Sequence, residues 1–215
     1  INSTAPDVFG LQEATNPQMQ DLTKALTKYA YVGVARDDGK EKGEFNPVFY
    51  LKDRYKLIKS GTFWLSETPD EPSKGWDAGC YRICTWALLQ DIKSGNSFVY
   101  ANTHLDNSGE DARRNGAKLI KERLSQLSNN LPVLVTGDFN DNNHSQAYLT
   151  MATNFFILND AYKTAKARSG MKSSFHDFGK IADDKGEIID YIFTSQDVKV
   201  SSACIFNSSL GEGRY

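Results

Sequence analysis

The chain has 215 residues, 40% of them hydrophobic, and a formal net charge of −2. This length suits one domain with a substantial core, and no run of eighteen apolar residues exists that could cross a membrane. The charge argues against a protein whose main task is to coat nucleic acid, because such binding needs many Lys and Arg residues.

The first part of the chain alternates one helix with several strands. Residues 8–11 form a compact apolar run that is typical of a buried strand. Asn16 and Pro17 predict an N-cap and a first helical residue, and apolar residues at helical spacing extend this helix to about Tyr29. Extended runs then predict strands at residues 31–36, 45–51, 55–64 and 82–90.

The second part of the chain predicts further strands and two more helices. A strand at residues 98–104 is expected to pair with the strand at 82–90. Ser108 and Asp111 resemble a capping box and predict the start of a long helix. A central strand follows at residues 133–135, and a shorter helix is predicted at 145–152. Residues 188–194 and 198–206 predict the last strands.

These elements predict a single mixed α/β (α+β) domain over residues 1–215. Strands outnumber helices, and each half of the chain contains a helix. Hydrophobic faces must be buried in layers, so we expect a four-layer α/β/β/α sandwich of two packed mixed sheets with outer helices. The cysteines, Cys80, Cys84 and Cys204, are interpreted as small core or strand residues, either all free or with one disulfide.

The motif Gly137-Asp138-Phe139-Asn140 carries the strongest chemical signal. Asp138 and Asn140 are two residues apart, so their side chains project to the same side if the backbone stays extended. A carboxylate beside an amide suits holding a water molecule against a phosphorus atom. Gly137 permits a tight turn or the close approach of a ligand. An ordinary Asp-containing turn remains the alternative for this motif alone.

Other polar residues stand at strand ends or inside apolar strands. Glu13 and His104 each follow an apolar run, and structural roles remain the alternative for both. Asp190 lies in an apolar strand and needs a partner such as a histidine or a metal-bound group, with a charge on the solvent face of a half-exposed strand as the alternative. Arg82 opens a strand and could bind a phosphate bidentately, although a strand-edge cation explains it equally well.

Familiar catalytic motifs of other chemistries are missing from the sequence. It contains no P-loop, no HExxH, no dinucleotide-binding glycine motif and no GxSxG. Water attack on a phosphoester, assisted by a metal, is therefore the best match to a set of Asp, Asn, Glu and His residues. Mg²⁺ prefers carboxylate and amide oxygens, and Mn²⁺ is the alternative.

The order of the motifs resembles the endonuclease/exonuclease/phosphatase superfamily. These motifs are PDVFGLQE at residues 6–13, NTHLD at 102–106, GDFN at 137–140 and IDYIF at 189–193. The resemblance covers essentially the whole chain. GTFWLSETP at 61–69 and RICTWA at 82–87 are similar to a bacterial subgroup. The resemblance implies a phosphoester hydrolase with the sandwich fold.

The resemblance also implies roles for individual residues. Glu13 matches the main metal-binding residue, and His104 matches a histidine that contacts the scissile phosphate. Asp138 and Asn140 match the pair that orients the attacking water and stabilises the transition state. Asp190 matches an aspartate that orients a catalytic histidine near the C-terminus. The implied substrate-binding residues are Arg82, Asn46 and His176.

The two ends of the chain depart from the family pattern. Members of the family open with a strand that ends in a metal-binding Asn, and they close with a Ser-Asp-His segment. This chain starts after that strand and stops at Arg214-Tyr215. We therefore expect a chain truncated at both ends and inactive or severely impaired as it stands. The alternative from another class is a non-catalytic binding module that keeps the fold.

The substrate and the surroundings of the protein are less defined. Nucleic acid, a small phosphodiester, a phosphorylated sugar and a lipid head group are all open as substrates. A basic helix with Arg113, Arg114, Lys118 and Lys121 is the candidate nucleic-acid contact, or simply a solvated face. We expect a monomer without a membrane span. Localisation stays open, export from a bacterium included.

Overall fold

The computed structural model describes residues 1 and 4–206. The strands are β1 Val8–Gly10, β2 Ala14–Thr15, β3 Tyr29–Val32, β4 Glu44–Phe45, β5 Val48–Leu51, β6 Tyr55–Trp64, β7 Ile83–Asp91, β8 Ser97–His104, β9 Val133–Asp138, β10 Leu158–Asp160, β11 Ala167–Gly170, β12 Asp190–Ser195 and β13 Ser202–Ile205. The helices are α1 Asn16–Ala25, α2 Glu110–Ser128, α3 Gln146–Ala152 and α4 Ala161–Thr164. The expected truncation at Arg214-Tyr215 concerns residues outside the described ranges.

The predicted four-layer sandwich is confirmed. A six-stranded sheet has the order β10-β12-β9-β8-β7-β6, and a three-stranded sheet has the order β1-β5-β3. Helices α2 and α3 pack on the outer face of the large sheet, and α1 packs on the small sheet. Between the sheets lies a third apolar cluster, in which Val48 and Tyr50 meet Ala87, Leu89 and Tyr100.

Within the described residues the large sheet is mixed, whereas the small sheet is antiparallel and in this detail differs from the prediction of two mixed sheets. In the large sheet β8 and β9 run parallel, while its other neighbouring strands are antiparallel. In the small sheet β5 pairs antiparallel with both β1 and β3. The chain reverses between β3 and β5 without a crossover helix, and a parallel pair requires such a crossover.

Helix α1 ends four residues before the predicted end at Tyr29. Its N-cap is Thr15, whose N–H donates to Gln18 Oε1 at 2.8 Å, and Asn16 is the first helical residue. Tyr29 instead begins β3, where its hydroxyl donates to the carbonyl of Pro6 at 2.7 Å. Contacts in the small sheet therefore override the helical spacing of the sequence, as tertiary contacts often do.

Helix α2 is capped by a residue that is distant in sequence. The predicted capping box of Ser108 and Asp111 does not form, because the N-cap is Gly109. The carboxylate of Asp77 accepts from the N–H groups of Asp111 and Ala112, at 3.3 and 2.7 Å. A carboxylate at this end satisfies unpaired N–H groups and interacts favourably with the helix dipole.

Several boundaries differ from the predictions, and three strands agree with them closely. The strands predicted at 55–64, 82–90 and 98–104 are confirmed, including the pairing of the last two. The predicted strand 45–51 is split at Asn46-Pro47, since Pro lacks the N–H of a ladder bond. The strands predicted at 31–36, 188–194 and 198–206 are shorter or shifted, and β10, β11 and α4 were not predicted. All three cysteines are free.

The side chain of Asn102 ties the two sheets together. This residue is fully buried in β8, and its Nδ2 donates to the carbonyls of Leu11 and Pro47 at 2.7 and 3.1 Å. Its Oδ1 accepts from Gln12 Nε2 at 2.7 Å and from Thr136 Oγ1 at 3.0 Å. The amide thus uses its full bonding capacity, which fixes the segment after β1 against the large sheet.

Gly10 is the residue that lets the two sheets approach at this point. A Cβ at position 10 would lie 2.3 Å from the Asn102 amide, a distance that no relaxed structure tolerates. The absence of a side chain at Gly10 therefore makes room for the Asn102 amide between the two sheets.

In the described ranges, the helices lack the length and apolar character that crossing a bilayer would require.

We expect Asn102→Ala to lower the free energy of unfolding by roughly 2–4 kcal/mol, because two buried carbonyls lose their donor. Urea denaturation followed by circular dichroism measures this change. Asn96→Ala, at an exposed position of the β7–β8 turn, is the matched control and should stay within about 0.5 kcal/mol of the wild type. Equal stabilities of the two variants would contradict the conclusion that the Asn102 side chain holds the two sheets together.

Candidate active site

His104, Asp138 and Asp190 lie side by side on three adjacent strands. Asp138 is the register partner of His104 on β8 and of Asp190 on β12. Directly paired residues project to the same face of a sheet, and here that face is the one that carries Asn102 toward the small sheet. We call these three residues the polar row. The structure therefore brings together three of the four predicted catalytic residues at one edge.

Asn140, the fourth, joins the polar row through a turn. The backbone does not stay extended after Asp138, because Asn140 has a φ of 50°. Its N–H donates to Asp138 Oδ1 at 2.7 Å, and its Nδ2 lies 2.9 Å from both the Leu105 carbonyl and His104 Nε2. A carbonyl only accepts, so the amide nitrogen must face it, and its second hydrogen points at Nε2. The neutral His104 ring then carries its proton on Nδ1.

His104 is held neutral by its surroundings. Burial, followed by the nearby charges of Arg82 and Arg36, lowers the pKa of His104 to about 3, against the smaller opposing effect of Asp106. Its Nε2 lies 3.5 Å from Asp138 Oδ2. At neutral pH the ring is therefore a hydrogen-bond donor through Nδ1 and not a cation.

Asp138 experiences the opposite effect. Burial and the charge of Asp190 raise the pKa of Asp138 to about 6, and Glu13 adds to this, while the Asn140 N–H and Arg82 oppose it. The surrounding protein also raises the pKa of Asp190 by partly shielding its carboxylate from water. A hydrogen bond to Ser174 opposes that shift. Negative charge is therefore crowded at this edge, and a cation would relieve it.

Glu13 stands beside the polar row in a strained conformation. Its φ is 59°, a left-handed value that costs about 1–3 kcal/mol for such a residue and is typical of functional sites. Glu13 directly precedes β2, whose first residue Ala14 pairs with Phe45, and Asn46 directly follows Phe45 in the chain. Asn46 is buried, and its Nδ2 donates to the Ile83 carbonyl at 3.2 Å.

Arg82 is fixed by Asp106, a residue that sequence reasoning assigned no role. Arg82 Nε lies 3.2 Å from Asp106 Oδ2, and both side chains are buried. Burial alone would raise the pKa of Asp106, but the N–H groups of Gly109, Gly79 and Ser108 and the guanidinium of Arg82 hold it well below its usual range. Its place in the motif NTHLD was the only sequence signal for this aspartate.

His176 lies on a loop that reaches the polar row. Its Nδ1 accepts from the Gly179 N–H at 2.8 Å. In the same loop, Ser174 Oγ accepts from the N–H groups of Ile189 and Asp190. The role of His176 in substrate binding stays a prediction.

Gly137 lets two neighbouring strands approach closely. A Cβ at position 137 would lie 2.3 Å from the Thr103 carbonyl oxygen, on the neighbouring strand. The sequence predicted a tight turn or the close approach of a ligand; the structure shows the close approach of the backbone of β8. The glycine thereby lets His104 and Asp138 lie directly opposite each other on the paired strands β8 and β9.

A large cleft adjoins the polar row only at Asp190. It has a volume of about 1230 Å³, and its lining includes Gln12, Gly137, Leu134 and Ile192. Most of its wall belongs to β12, β13 and neighbouring loops. His104, Asp138 and Glu13 converge beside this cleft, so we locate the reacting atoms at the polar row.

The oxygen-rich donors at this edge fit a hard divalent cation. They comprise the carboxylates of Glu13, Asp138 and Asp190 and the amide of Asn46. No group of three or more His, Cys, Asp or Glu within residues 1 and 4–206 has the arrangement of a complete metal site. Carboxylate and amide oxygens are the ligands that Mg²⁺ prefers, and the metal itself stays a prediction.

A family comparison decides the classification. The family model described as Endonuclease/Exonuclease/phosphatase family matches residues 1–211. The chain belongs to this family. The superfamily predicted from the four motifs is thereby confirmed.

Solved structures agree with this membership. An endonuclease/exonuclease/phosphatase from Bacteroides vulgatus is 44% identical, with a TM-score of 0.96, over 100% of this chain and 82% of that chain. The mannosyl-6-phosphatase from Bacteroides thetaiotaomicron is 38% identical, with a TM-score of 0.85, over 94% of this chain and 75% of that chain. An uncharacterized protein of Acanthamoeba polyphaga mimivirus is 24% identical over an alignment of 209 residues, and the match covers 81% of this chain but only 30% of that protein.

The pKa of Asp138 predicts a pH-dependent stability in the absence of metal. An unfolded Asp has a pKa near 3.9, so between about pH 4 and pH 6 the folded state keeps a proton that the unfolded state has lost. The free energy of unfolding therefore falls as the pH rises through this window. His104 has the opposite effect between about pH 3 and pH 6.5, because the unfolded state binds the extra proton.

Asp138→Asn isolates the Asp138 contribution, because His104 is common to both proteins. When the pH is raised from 4 to 7.5, we expect the free energy of unfolding of the variant to rise by roughly 2 kcal/mol relative to that of the wild type. Urea denaturation in EDTA at the two pH values measures the difference. If the free energies of unfolding of the two proteins differ by the same amount at both pH values, Asp138 ionises as in an unfolded chain.

Proposed function

We propose that this protein is a divalent-metal-dependent phosphoester hydrolase that works by direct attack of water. The observation that carries the proposal is the polar row, in which Asp138 lies between His104 and Asp190 while Asn140 bonds to both Asp138 and His104. Membership in the endonuclease/exonuclease/phosphatase family supports the same reaction class. The metal is Mg²⁺, with Mn²⁺ as the alternative.

The proposed reaction begins with a water molecule held at Asp138. The carboxylate accepts the proton of this water as its oxygen forms a bond to phosphorus, and the phosphorus–oxygen bond to the leaving group breaks. A pKa of about 6 is close to the value at which a general base is most effective near neutral pH. The leaving oxygen takes up a proton, so the products are a phosphate and an alcohol.

The neighbouring residues orient the substrate and stabilise the charge that develops. His104 donates through Nδ1 to a phosphoryl oxygen, and Asn140 fixes both the His104 tautomer and the Asp138 carboxylate. Arg82 supplies positive charge, while Asp190 remains our candidate for orienting a catalytic histidine. Glu13 would hold the metal, which would supply Lewis-acid chemistry at the phosphoryl group when bound.

The basic helix gives little support to nucleic acid as the substrate. Arg113 is engaged by Asp141 and by the Asp106 carbonyl, at 2.9 and 3.0 Å. Lys121 is buried and donates to the carbonyls of Thr150 and Thr153. These two cations are thus used inside the protein. The mannosyl-6-phosphatase comparison favours a small phosphorylated compound over a polymer.

We expect EDTA to abolish hydrolysis by the full-length protein and Mg²⁺ to restore it. Asp138→Ala should lower kcat/KM by at least about 100-fold, as expected for the loss of a general base. A panel of phosphoesters with phosphate release as the readout measures both effects. Asp53→Ala, at an exposed turn, is the matched control and should keep wild-type activity.

Activity without metal, or full activity of Asp138→Ala, would refute the proposal. The binding-module alternative has its own signature, which isothermal titration with Mg²⁺ can reveal. A catalytic site should bind Mg²⁺ and lose that binding in Glu13→Gln. A fold kept only as a binding module should show little Mg²⁺ binding in either protein.

A further inference from the structure

Arg36 is fixed next to Arg82 by the backbone around it. Its N–H donates to the Glu44 carbonyl at 3.0 Å, and its own carbonyl accepts from Trp64 Nε1 at 2.6 Å. Trp64 ends β6 and pairs with Ile83, the residue that follows Arg82. The loop after β3 thereby carries Arg36 to the edge where Arg82 enters β7. We call Arg36 and Arg82 the arginine pair.

Each member of the arginine pair is anchored by a carboxylate on one side and unpaired on another. Arg36 Nη1 lies 2.5 Å from Glu44 Oε2, and Arg82 Nε lies 3.2 Å from Asp106 Oδ2. Arg36 Nε and Arg82 Nη1 are both buried and find no hydrogen-bond acceptor in the described part of the chain. Asp37 Oδ1 is 3.8 Å from Arg36 Nε, too far for a hydrogen bond.

The unpaired donors are concentrated at this one place. The described residues contain four buried side-chain polar atoms without a hydrogen-bond partner. Three of them are nitrogens of Arg36, Arg82 and His104; the fourth is Thr194 Oγ1. A buried N–H without an acceptor is costly and therefore rare, so three together indicate a missing acceptor with several oxygens.

Strand order places the three donors near one another. His104 ends β8, the neighbouring strand β7 begins right after Arg82, and Arg36 is bonded to Trp64 at the end of β6, whereas Asp138 and Asp190 lie on β9 and β12 at the other side of His104. In agreement with this arrangement, Arg36 and Arg82 both lower the pKa of His104. The Arg36 side chain is 17% exposed and the Arg82 side chain 6%, so Arg36 is the outer member.

We propose that Arg36 and Arg82, together with His104, bind the terminal oxygens of a phosphomonoester and make this protein selective for monoesters over diesters. A monoester presents three terminal oxygens and, near neutral pH, up to two negative charges. A diester presents two such oxygens and one charge, and its second substituent would have to displace the buried arginine donors. Planar guanidinium groups anchored by carboxylates are well suited to this recognition. The inference rests on the proposed function.

The kinetic test compares two substrates with the same leaving group, p-nitrophenyl phosphate and bis(p-nitrophenyl) phosphate. We expect the wild type to prefer the monoester. Arg36→Gln should lower kcat/KM for the monoester roughly 10- to 100-fold, the usual loss for one hydrogen bond to a charged group, and change the diester value less than about 3-fold. Arg36→Lys should retain part of the monoester preference. Arg54→Gln, which removes a surface ion pair with Asp7 and Asp91, is the matched control.

A binding test separates this inference from the proposed function. Inorganic phosphate and dimethyl phosphate are titrated into the wild type and into Arg36→Gln by calorimetry, whether or not the protein hydrolyses any substrate. Tighter binding of inorganic phosphate that is lost in Arg36→Gln supports the arginine pair as an anion site. Equal binding of the two anions by the wild type, or a preference for inorganic phosphate that survives in Arg36→Gln, overturns it. Thermal denaturation establishes that each variant is folded.

Discussion

The buried amide of Asn102 is the interaction on which the geometry of the site depends. It joins the large sheet to the segment that follows β1, and Glu13 lies in that segment. On β8 the same residue is two positions before His104, so the tie and the polar row share one face of one strand. The sandwich therefore does more than bury apolar surface. Its two sheets are aligned at the edge where residues that are distant in sequence must meet.

Charge is separated across that edge. The carboxylates of Asp190 and Asp138 lie on β12 and β9, and the guanidinium groups of Arg82 and Arg36 belong to the opposite flank, near β7 and β6. His104 lies between them and stays neutral because it is buried next to positive charge. Asp138 holds its proton more tightly because it is buried next to negative charge. A hard cation and a phosphoryl group would complement the two sides respectively.

The sequence predicted the layers of the fold and most of the convergent residues, for identifiable reasons. Apolar runs marked β7 and β8 well, since most of the residues of these two strands are buried. The prediction of α1 to Tyr29 failed because that side chain packs in the small sheet, and no local pattern shows such a contact. His104, Asp138 and Asp190 were found through motifs at strand ends. Arg36 and Asp106 were missed because their roles depend on neighbours brought by the fold.

The capping of α2 by Asp77 has a consequence for the order in which the molecule assembles. The hydrogen bonds from Asp111 and Ala112 to Asp77 span 34 and 35 residues, so closing this loop costs chain entropy before the cap forms. The first turn of α2 adjoins the Gly109 N–H that binds the Asp106 carboxylate. Pairing of β8 with β9 closes a loop of similar length. The support of Arg82 thus depends on a non-local docking event, and we expect the substrate-binding edge to form together with the centre of the large sheet and not before it.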